Sequence, residues 1–215
     1  MPNSQEKLPN SELSLKNWWP LRTDRISCCQ VRGCNKKSDG IRLVMPGSFN
    51  PLHQAHLAMA DHASQVAGTC CFFELSLANV DKPQLELAQI ERRIDQPFGS
   101  HGLLISNATR FDEKSKIFPE ATFVVGSDTL FRLDHASYYG DSEKKRDESI
   151  KKITDNGCRF LVFGRLMSNK FVDSENIEID EKLRSICEFV PRSAFEMNIS
   201  STQLRDGGSQ QPGKD

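Results

Sequence analysis

The feature that most constrains the fold of this chain is an alternation between short apolar runs and longer stretches with helical patterning. Most of the apolar runs are closed by glycine or proline, which is typical of buried β-strands that end in tight turns. The predicted strands span residues 41–45, 69–77, 102–107, 121–125, 159–163 and 189–190. The predicted helices run from about His53 to Gly68, over 84–93 and over 141–154. This order predicts an α/β fold with a mostly parallel sheet, helices on both faces, and ligands at the carboxyl ends of the strands.

Charge and hydropathy narrow the classes of function. The formal net charge is −1, whereas a protein that coats nucleic acid usually has a basic surplus. The sequence has no run of about 18 apolar residues that would span a bilayer. Its polar N-terminus also lacks the apolar centre of a secretory signal. We therefore expect a cytoplasmic protein that binds neither nucleic acid nor a membrane.

Three segments are predicted along the 215 residues. Residues 1–39 are rich in Ser, Asn, Lys and Arg and show little periodicity, so we interpret them as a partly ordered or flexible N-terminal extension. Trp18 and Trp19 are candidates for pinning this extension against the body. Residues 40–206 form the predicted domain, and residues 207–215, which begin with Gly207-Gly208, form a flexible tail.

The seven cysteines do not resemble a spaced disulfide framework. Four of them form the adjacent pairs Cys28–Cys29 and Cys70–Cys71. We therefore expect reduced thiols. Cys28, Cys29 and Cys34 form a cluster, but a structural zinc site needs four ligands and no second close pair follows. We predict no metal site there.

The stretch GSFNPLHQAH, residues 47–56, lies at the junction between the first predicted strand of the domain and its helix. Gly47 allows close approach of the backbone to a ligand, and Pro51 stiffens the entry to the helix. His53 and His56 share one face of the first helical turn, where unpaired N–H groups favour phosphate. We interpret the junction as a phosphate site. The alternatives are histidines that merely cap or pack the helix start, or an i,i+3 metal pair that lacks a third ligand.

This stretch resembles the G-x-F-x-P-x-[HT]-x-x-H signature of the nucleotidylyltransferase superfamily, in particular nicotinamide mononucleotide adenylyltransferases. Many members have Gly where this chain has Ala55. Residues 199–205, ISSTQLR, resemble the I-S-S-T-x-x-R motif of the same family. Without the family, they are also compatible with an ordinary capped surface helix. The resemblance covers roughly residues 41–205 and is closest to a less-studied branch in plants, fungi and bacteria.

The resemblance implies a Rossmann-like nucleotidylyltransferase fold and a set of functional residues. The implied catalytic residues are His53, His56 and Arg205. The implied nucleotide-binding residues are Gly47, Ser48, Phe49, Gly126, Asp128, Arg165, Ser200, Ser201 and Thr202. The implied acceptor-binding residues are Lys82, Arg92 (or Arg93) and Tyr138 (or Tyr139). From the residues alone, Asp128 is equally compatible with a helix cap. Arg92 and Arg93 are equally compatible with a charged helix face that is exposed to solvent.

The implied reaction is transfer of AMP from ATP to a phosphate-bearing acceptor, nicotinamide or nicotinate mononucleotide, in NAD biosynthesis. Magnesium is expected with ATP, held by phosphates and water rather than by protein ligands. Relatives are often homo-oligomers. Nicotinamide-specific members stack the pyridine on a tryptophan, but both tryptophans of this chain precede the matched region. Three alternatives remain. The first is the same fold with another base or acceptor, as in cytidylyltransferases and phosphopantetheine adenylyltransferases. The others are a nucleotide-binding protein without turnover and a fragment of an aminoacyl-tRNA synthetase.

Overall fold

The computed structural model describes residues 27–34, 40–77, 85–167 and 170–195. The strands are β1 (Cys28–Arg32), β2 (Leu43–Gly47), β3 (Cys71–Ser76), β4 (Gly102–Ser106), β5 (Thr122–Gly126), β6 (Arg159–Phe163), β7 (Arg165–Met167), β8 (Lys170–Val172) and β9 (Cys187–Phe189). The helices are α1 (Gln54–Ala67), α2 (Leu87–Ile94), α3 (Phe111–Ile117), α4 (Ser127–Asp134), α5 (Glu143–Asp155) and α6 (Glu181–Arg184), with a 3₁₀ turn at Ala136–Tyr139.

Seven strands form one twisted sheet in the order β1-β4-β3-β2-β5-β6-β9. The pairs from β4 through to β9 are all parallel. β1 pairs antiparallel with β4 at one edge, and β7 and β8 form a separate hairpin. The predicted α/β class with a mostly parallel, Rossmann-like sheet is therefore confirmed.

Both faces of the sheet are covered because successive side chains of a strand point to opposite sides. In β2, Leu43 and Met45 join one core cluster, whereas Val44 between them joins the other. Helices α1 and α2 contribute Met59 and Ile90 to the first cluster. The second cluster is covered by α3, α4, α5 and α6. The prediction of helices on both faces is thus confirmed.

Most predicted strands match the observed ones to within one or two residues, because each is a buried apolar run with a clear stop. The sequence missed β1, which lies inside the predicted N-terminal extension and joins the sheet. Its sequence, CCQVR, has neither a long apolar run nor regular alternation. Helices α3 and α4 and the β7–β8 hairpin were also missed. Trp18 and Trp19 lie outside the described residues.

The expectation that every cysteine is reduced is wrong. Cys34 and Cys70 form a disulfide, while the other five cysteines are free. The sequence could not show this pairing, because the two residues are 36 positions apart and approach only when β1 and β3 enter the same sheet. No helix in the described ranges is both long and apolar enough to cross a bilayer.

Candidate functional site

The candidate site lies where the sheet changes its direction of growth. β2 is flanked by β3 on one side and by β5 on the other. The chain therefore leaves β2 toward one edge and later returns to build the other half. In open α/β sheets, the crevice at the carboxyl ends of two such strands is the usual ligand position. The strands end here at Gly47 and Gly126.

The loop after β2 turns sharply around a buried aromatic ring. Phe49 has a left-handed backbone with φ 43°, and its side chain is only 2% exposed. The ring packs edge-on against Phe73 and Phe98. A Cβ atom on Gly47 would lie 2.6 Å from this ring. Glycine at 47 is therefore required for the loop to fold over Phe49.

Two side chains from the α2 region hold this loop in place. Arg93 was predicted only as an alternative acceptor-binding residue, and Gln96 was not predicted at all. Arg93 Nη1 donates to the carbonyl oxygen of Ser48 at 3.0 Å. Gln96 Nε2 donates to the carbonyl oxygen of Phe49 at 2.8 Å, and Gln96 Oε1 accepts from the N–H of Leu52 at 2.6 Å. No sequence pattern identifies a glutamine that follows a charged helix as a residue that holds a loop. Its role depends entirely on the tertiary approach of α2 to the loop.

His53 and His56 are brought together at the start of α1. Their rings stack with centroids 3.7 Å apart and an interplanar angle of 22°. His56 also receives the edge of Phe49 at 5.3 Å. His53 is the N-cap residue with extended backbone, and no acidic residue occupies the first turn. The positive end of the helix dipole is therefore not neutralised by its own side chains.

Hydrogen bonding distinguishes the two imidazoles. The backbone N–H of His53 donates to His56 Nδ1 at 3.3 Å. A neutral His56 ring that accepts at Nδ1 bears its proton on Nε2, so Nε2 is a donor for an incoming group. Both ring nitrogens of His53 are buried and have no partner among the described residues. Buried polar atoms without partners are costly and rare, which indicates that a ligand completes this site.

Burial keeps both rings neutral. Burial, followed by the positive charge of Arg165, lowers the pKa of His53. Burial, followed by the neighbouring His53 and by Arg165, lowers the pKa of His56 to about 3. At neutral pH the pair therefore consists of two uncharged rings beside a permanent cation. Such a pair can donate hydrogen bonds to an anion without a prior proton transfer.

The end of β5 supplies the opposite wall. Arg165 Nε lies 3.7 Å from Asp128 Oδ1, a separation too long for a hydrogen bond. That carboxylate oxygen is buried and has no hydrogen-bond partner within the described chain, and the same is true of Ser127 Oγ. A Cβ on Gly126 would clash with Asp128 and would come within 2.5 Å of Arg165 Cδ. Gly126 therefore leaves the space in which these two side chains meet. Ser127 was not predicted as a site residue.

The other predicted residues are placed differently or not described. Ser48 is exposed. Arg92 is also exposed and donates to Ala88 in its own helix, so Arg93 is the arginine that reaches the loop. Tyr138 packs against the second core cluster, on the sheet face opposite Phe49. The remaining predicted residues lie outside the described residues: Lys82, Ser200, Ser201, Thr202 and Arg205.

Comparisons with known proteins add no family assignment. No protein-family model matches the chain, and no curated protein has a significantly similar sequence. Within the described ranges, no group of three or more His, Cys, Asp or Glu side chains is arranged to hold a metal ion. The features of the chain that bear on its function are therefore its motifs and the geometry at the ends of β2 and β5.

Proposed function

We propose that this protein transfers AMP from ATP to a phosphate-bearing acceptor, nicotinamide or nicotinate mononucleotide, with release of pyrophosphate. The observation that supports this most is the stacked histidine pair at the start of α1. It lies at the switch point of the sheet, and the ring nitrogens of His53 are buried without partners. A polyphosphate ligand would supply acceptors for these nitrogens and for the helix N–H groups.

In this reaction a phosphate oxygen of the acceptor attacks the α-phosphorus of ATP. A new P–O bond forms, and the bond to the bridging oxygen breaks with its electron pair, which leaves on pyrophosphate. No covalent enzyme intermediate is needed, so the protein contributes positioning and charge stabilisation. His56 Nε2–H, His53 and Arg165 are the donors that would meet the developing negative charge.

The remaining groups at the site fit the other parts of a nucleotide. The carboxylate of Asp128, one oxygen of which has no hydrogen-bond partner among the described residues, suits the ribose hydroxyls, since a carboxylate accepts hydrogen bonds. The backbone around Gly47 and Phe49 faces the phosphates. Mg²⁺ would be held by the phosphates and water, which is usual for an ion that keeps much of its hydration shell. By their motifs, Ser200 and Arg205 are assigned to binding the phosphates and Lys82 to binding the acceptor.

The first test measures pyrophosphate release in the presence of magnesium. ATP and CTP are crossed with nicotinamide mononucleotide, nicotinate mononucleotide and phosphopantetheine. We expect turnover with ATP and a pyridine mononucleotide. His56→Ala should lower kcat by roughly 10²–10³-fold, the usual effect of losing one charge-stabilising donor.

The matched control is His135→Ala, which removes an exposed imidazole from the loop after α4 and should leave kcat unchanged. Turnover with CTP or with phosphopantetheine, instead of ATP and a pyridine mononucleotide, would show that the proposed substrates are wrong and that the protein has the activity of a related transferase. ATP binding by calorimetry without pyrophosphate release from any pair would overturn the proposed activity in favour of a nucleotide-binding protein.

A further inference from the structure

A polar cavity lies at the other end of the sheet, away from the candidate nucleotide site. Its volume is about 290 Å³, close to the lower limit for pockets that hold small ligands. It lies where β1 ends and where β3 and β4 begin. Its lining residues are Cys34, Asp61, Ser64, Gln65, Cys70, Ser100 and His101. The disulfide between Cys34 and Cys70 is thus part of the cavity wall.

The two cysteines differ in exposure. Cys34 is half-buried, whereas Cys70 is 2% exposed. Their Cα atoms are 6.4 Å apart, within the usual span of a disulfide, so the bond needs no backbone movement to form. A thiolate that enters the cavity therefore reaches Cys34 first.

Each of the two sulfurs also lies near a backbone carbonyl oxygen. The carbonyl oxygen of Ser100 lies 3.4 Å from Cys34 Sγ, and the carbonyl oxygen of Cys71 lies 3.6 Å from Cys70 Sγ. Once the bond is broken and the two sulfurs move apart, each free thiol has a backbone hydrogen-bond acceptor close by. A backbone acceptor beside each sulfur would stabilise the thiols after reduction, which suits the site to reversible exchange.

We propose that Cys34 and Cys70 form a reversible thiol–disulfide exchange site for a small, polar thiol such as glutathione. The thiolate of the small molecule attacks Cys34 Sγ, forming a mixed disulfide. The Cys34–Cys70 bond breaks, and its electron pair leaves on Cys70, which takes up a proton. A second small thiol then attacks the mixed disulfide and releases Cys34 as a thiol. Two small thiols are oxidised to one disulfide, and the protein pair gains two electrons.

The polar groups around the sulfurs suit such a ligand. His101 Nε2 and Asp61 Oδ1 are hydrogen-bonded at 3.0 Å, and they are the titratable side chains besides the cysteines in the cavity lining of the described structure. His101 is 4% exposed and packs edge-on against Phe73, so its position is fixed. The ammonium and carboxylate groups of a peptide thiol would find hydrogen-bonding partners on Asp61, Gln65 and His101.

The free cysteines are less suited to exchange. Burial raises the pKa of Cys29 to about 11 and that of Cys187 to about 12. Burial also raises the pKa of Cys28, Cys71 and Cys158. Because the thiolate is the reactive form, these groups react slowly at neutral pH. The exchange should therefore be selective for the cavity.

The test uses the full-length native protein in buffers with a graded ratio of reduced to oxidised glutathione. Samples are quenched with acid, alkylated and mapped by peptide mass spectrometry, while near-UV circular dichroism monitors the fold. We expect Cys34 and Cys70 to become alkylated together as the ratio rises and to re-form the disulfide when it falls. Glutathione should appear on Cys34, with the near-UV spectrum retained.

Two single variants separate the roles of the sulfurs. Cys70→Ser should retain one stable glutathione adduct on Cys34, because no internal thiol resolves it. Cys34→Ser should lose the adduct, because Cys70 is buried, and Cys187→Ser should behave as the wild type. A disulfide that opens only in denaturant, or together with loss of the near-UV spectrum, would mark a purely structural bond and overturn the proposal. Glutathione on one of the other five cysteines would also overturn it.

Discussion

At the scale of single residues, the histidine pair combines two properties that are costly to maintain together. The rings are packed against each other and against Phe49, and the nitrogens of His53 have no partner among the described residues. A chain under selection for stability alone would replace such a pair by apolar side chains. Its presence at the start of α1 therefore supports the proposal that the rings bind a ligand.

The lowered pKa of His56 predicts a stability that depends on pH. In the unfolded chain this imidazole titrates near 6.5, and in the folded protein near 3. Between these values the unfolded state binds more protons, so the stabilising contribution is complete above pH 6.5 and is lost as pH falls toward 3. Thermal melting between about pH 7.5 and 5 should show a falling Tm in the wild type and a flatter curve in His56→Gln, since few carboxyl groups titrate in that interval. His135→Gln, at an exposed site, should have the wild-type slope, and an equal slope in His56→Gln would contradict the assignment.

Two glycines at strand ends should respond differently to alanine. A methyl group at Gly126 meets the side chains of Asp128 and Arg165, both of which can swing toward solvent. A methyl group at Gly102 clashes with the ring of Phe72, which is 4% exposed and cannot move away. We expect Gly102→Ala to lose about 1–3 kcal/mol of unfolding free energy, the usual effect of overpacking.

Gly126→Ala should keep nearly wild-type stability and lose ATP affinity, because the side chains that it displaces are the proposed ribose and phosphate contacts. Urea denaturation and ATP calorimetry on Gly102→Ala and Gly126→Ala test these two predictions. An unchanged Kd for ATP in Gly126→Ala would remove these two side chains from the site.

At the scale of elements, the loop after β2 depends on α2 for its shape. Gln96 bonds the backbone on both sides of the turn, at Phe49 and Leu52. Gln96→Leu keeps a similar volume but removes both hydrogen bonds, so it should cost about 1–3 kcal/mol in unfolding free energy. Hydrogen exchange at the Leu52 amide should accelerate. Gln65→Leu, at an exposed position on α1, is the control, and protection at Leu52 that survives in Gln96→Leu would refute the role.

The elements also show what sequence patterns can and cannot predict. Strands such as β5 and β6 were predicted because they are buried on both faces and read as continuous apolar runs. β1 was missed because it is an edge strand whose pairing partner, β4, lies 71 to 78 residues away in sequence. The motif residues His53 and His56 were predicted because a local pattern marks them. Gln96 and Ser127 were not, because only the tertiary structure brings them to the site.

At the scale of the whole molecule, the sheet separates two kinds of chemistry. The carboxyl ends of β2 and β5 present neutral imidazoles, an arginine and a carboxylate. The opposite end presents a disulfide and a histidine–aspartate pair. Between these ends, two core clusters rich in aromatic side chains pack on the two faces of the sheet and shield them from solvent. The two sites can therefore be tested independently of each other.

A buried ion pair joins three elements of this body. Lys114 Nζ, on α3, lies 2.7 Å from Glu74 Oε2, on β3, and both side chains are at most 4% exposed. Ser106, on β4, donates to the same carboxylate, and Lys114 also donates to the carbonyl oxygen of Ala108 at 2.9 Å. The network holds the carboxyl ends of β3 and β4 to α3. Removing one partner leaves a buried charge without compensation.

We expect Lys114→Met to lose about 3–5 kcal/mol of unfolding free energy, because the Glu74 carboxylate would remain buried and unpaired. The double variant Glu74→Gln/Lys114→Met should recover a large part of that loss, since neither charge is then buried. The control is Lys151→Met, which breaks the exposed Lys151–Asp155 pair at a similar distance of 2.7 Å and should change stability little because solvent screens it. Urea denaturation of the four proteins gives the comparison. If Lys114→Met lowers the free energy of unfolding no more than Lys151→Met does, the buried pair does not stabilise the contact between the two strands and α3.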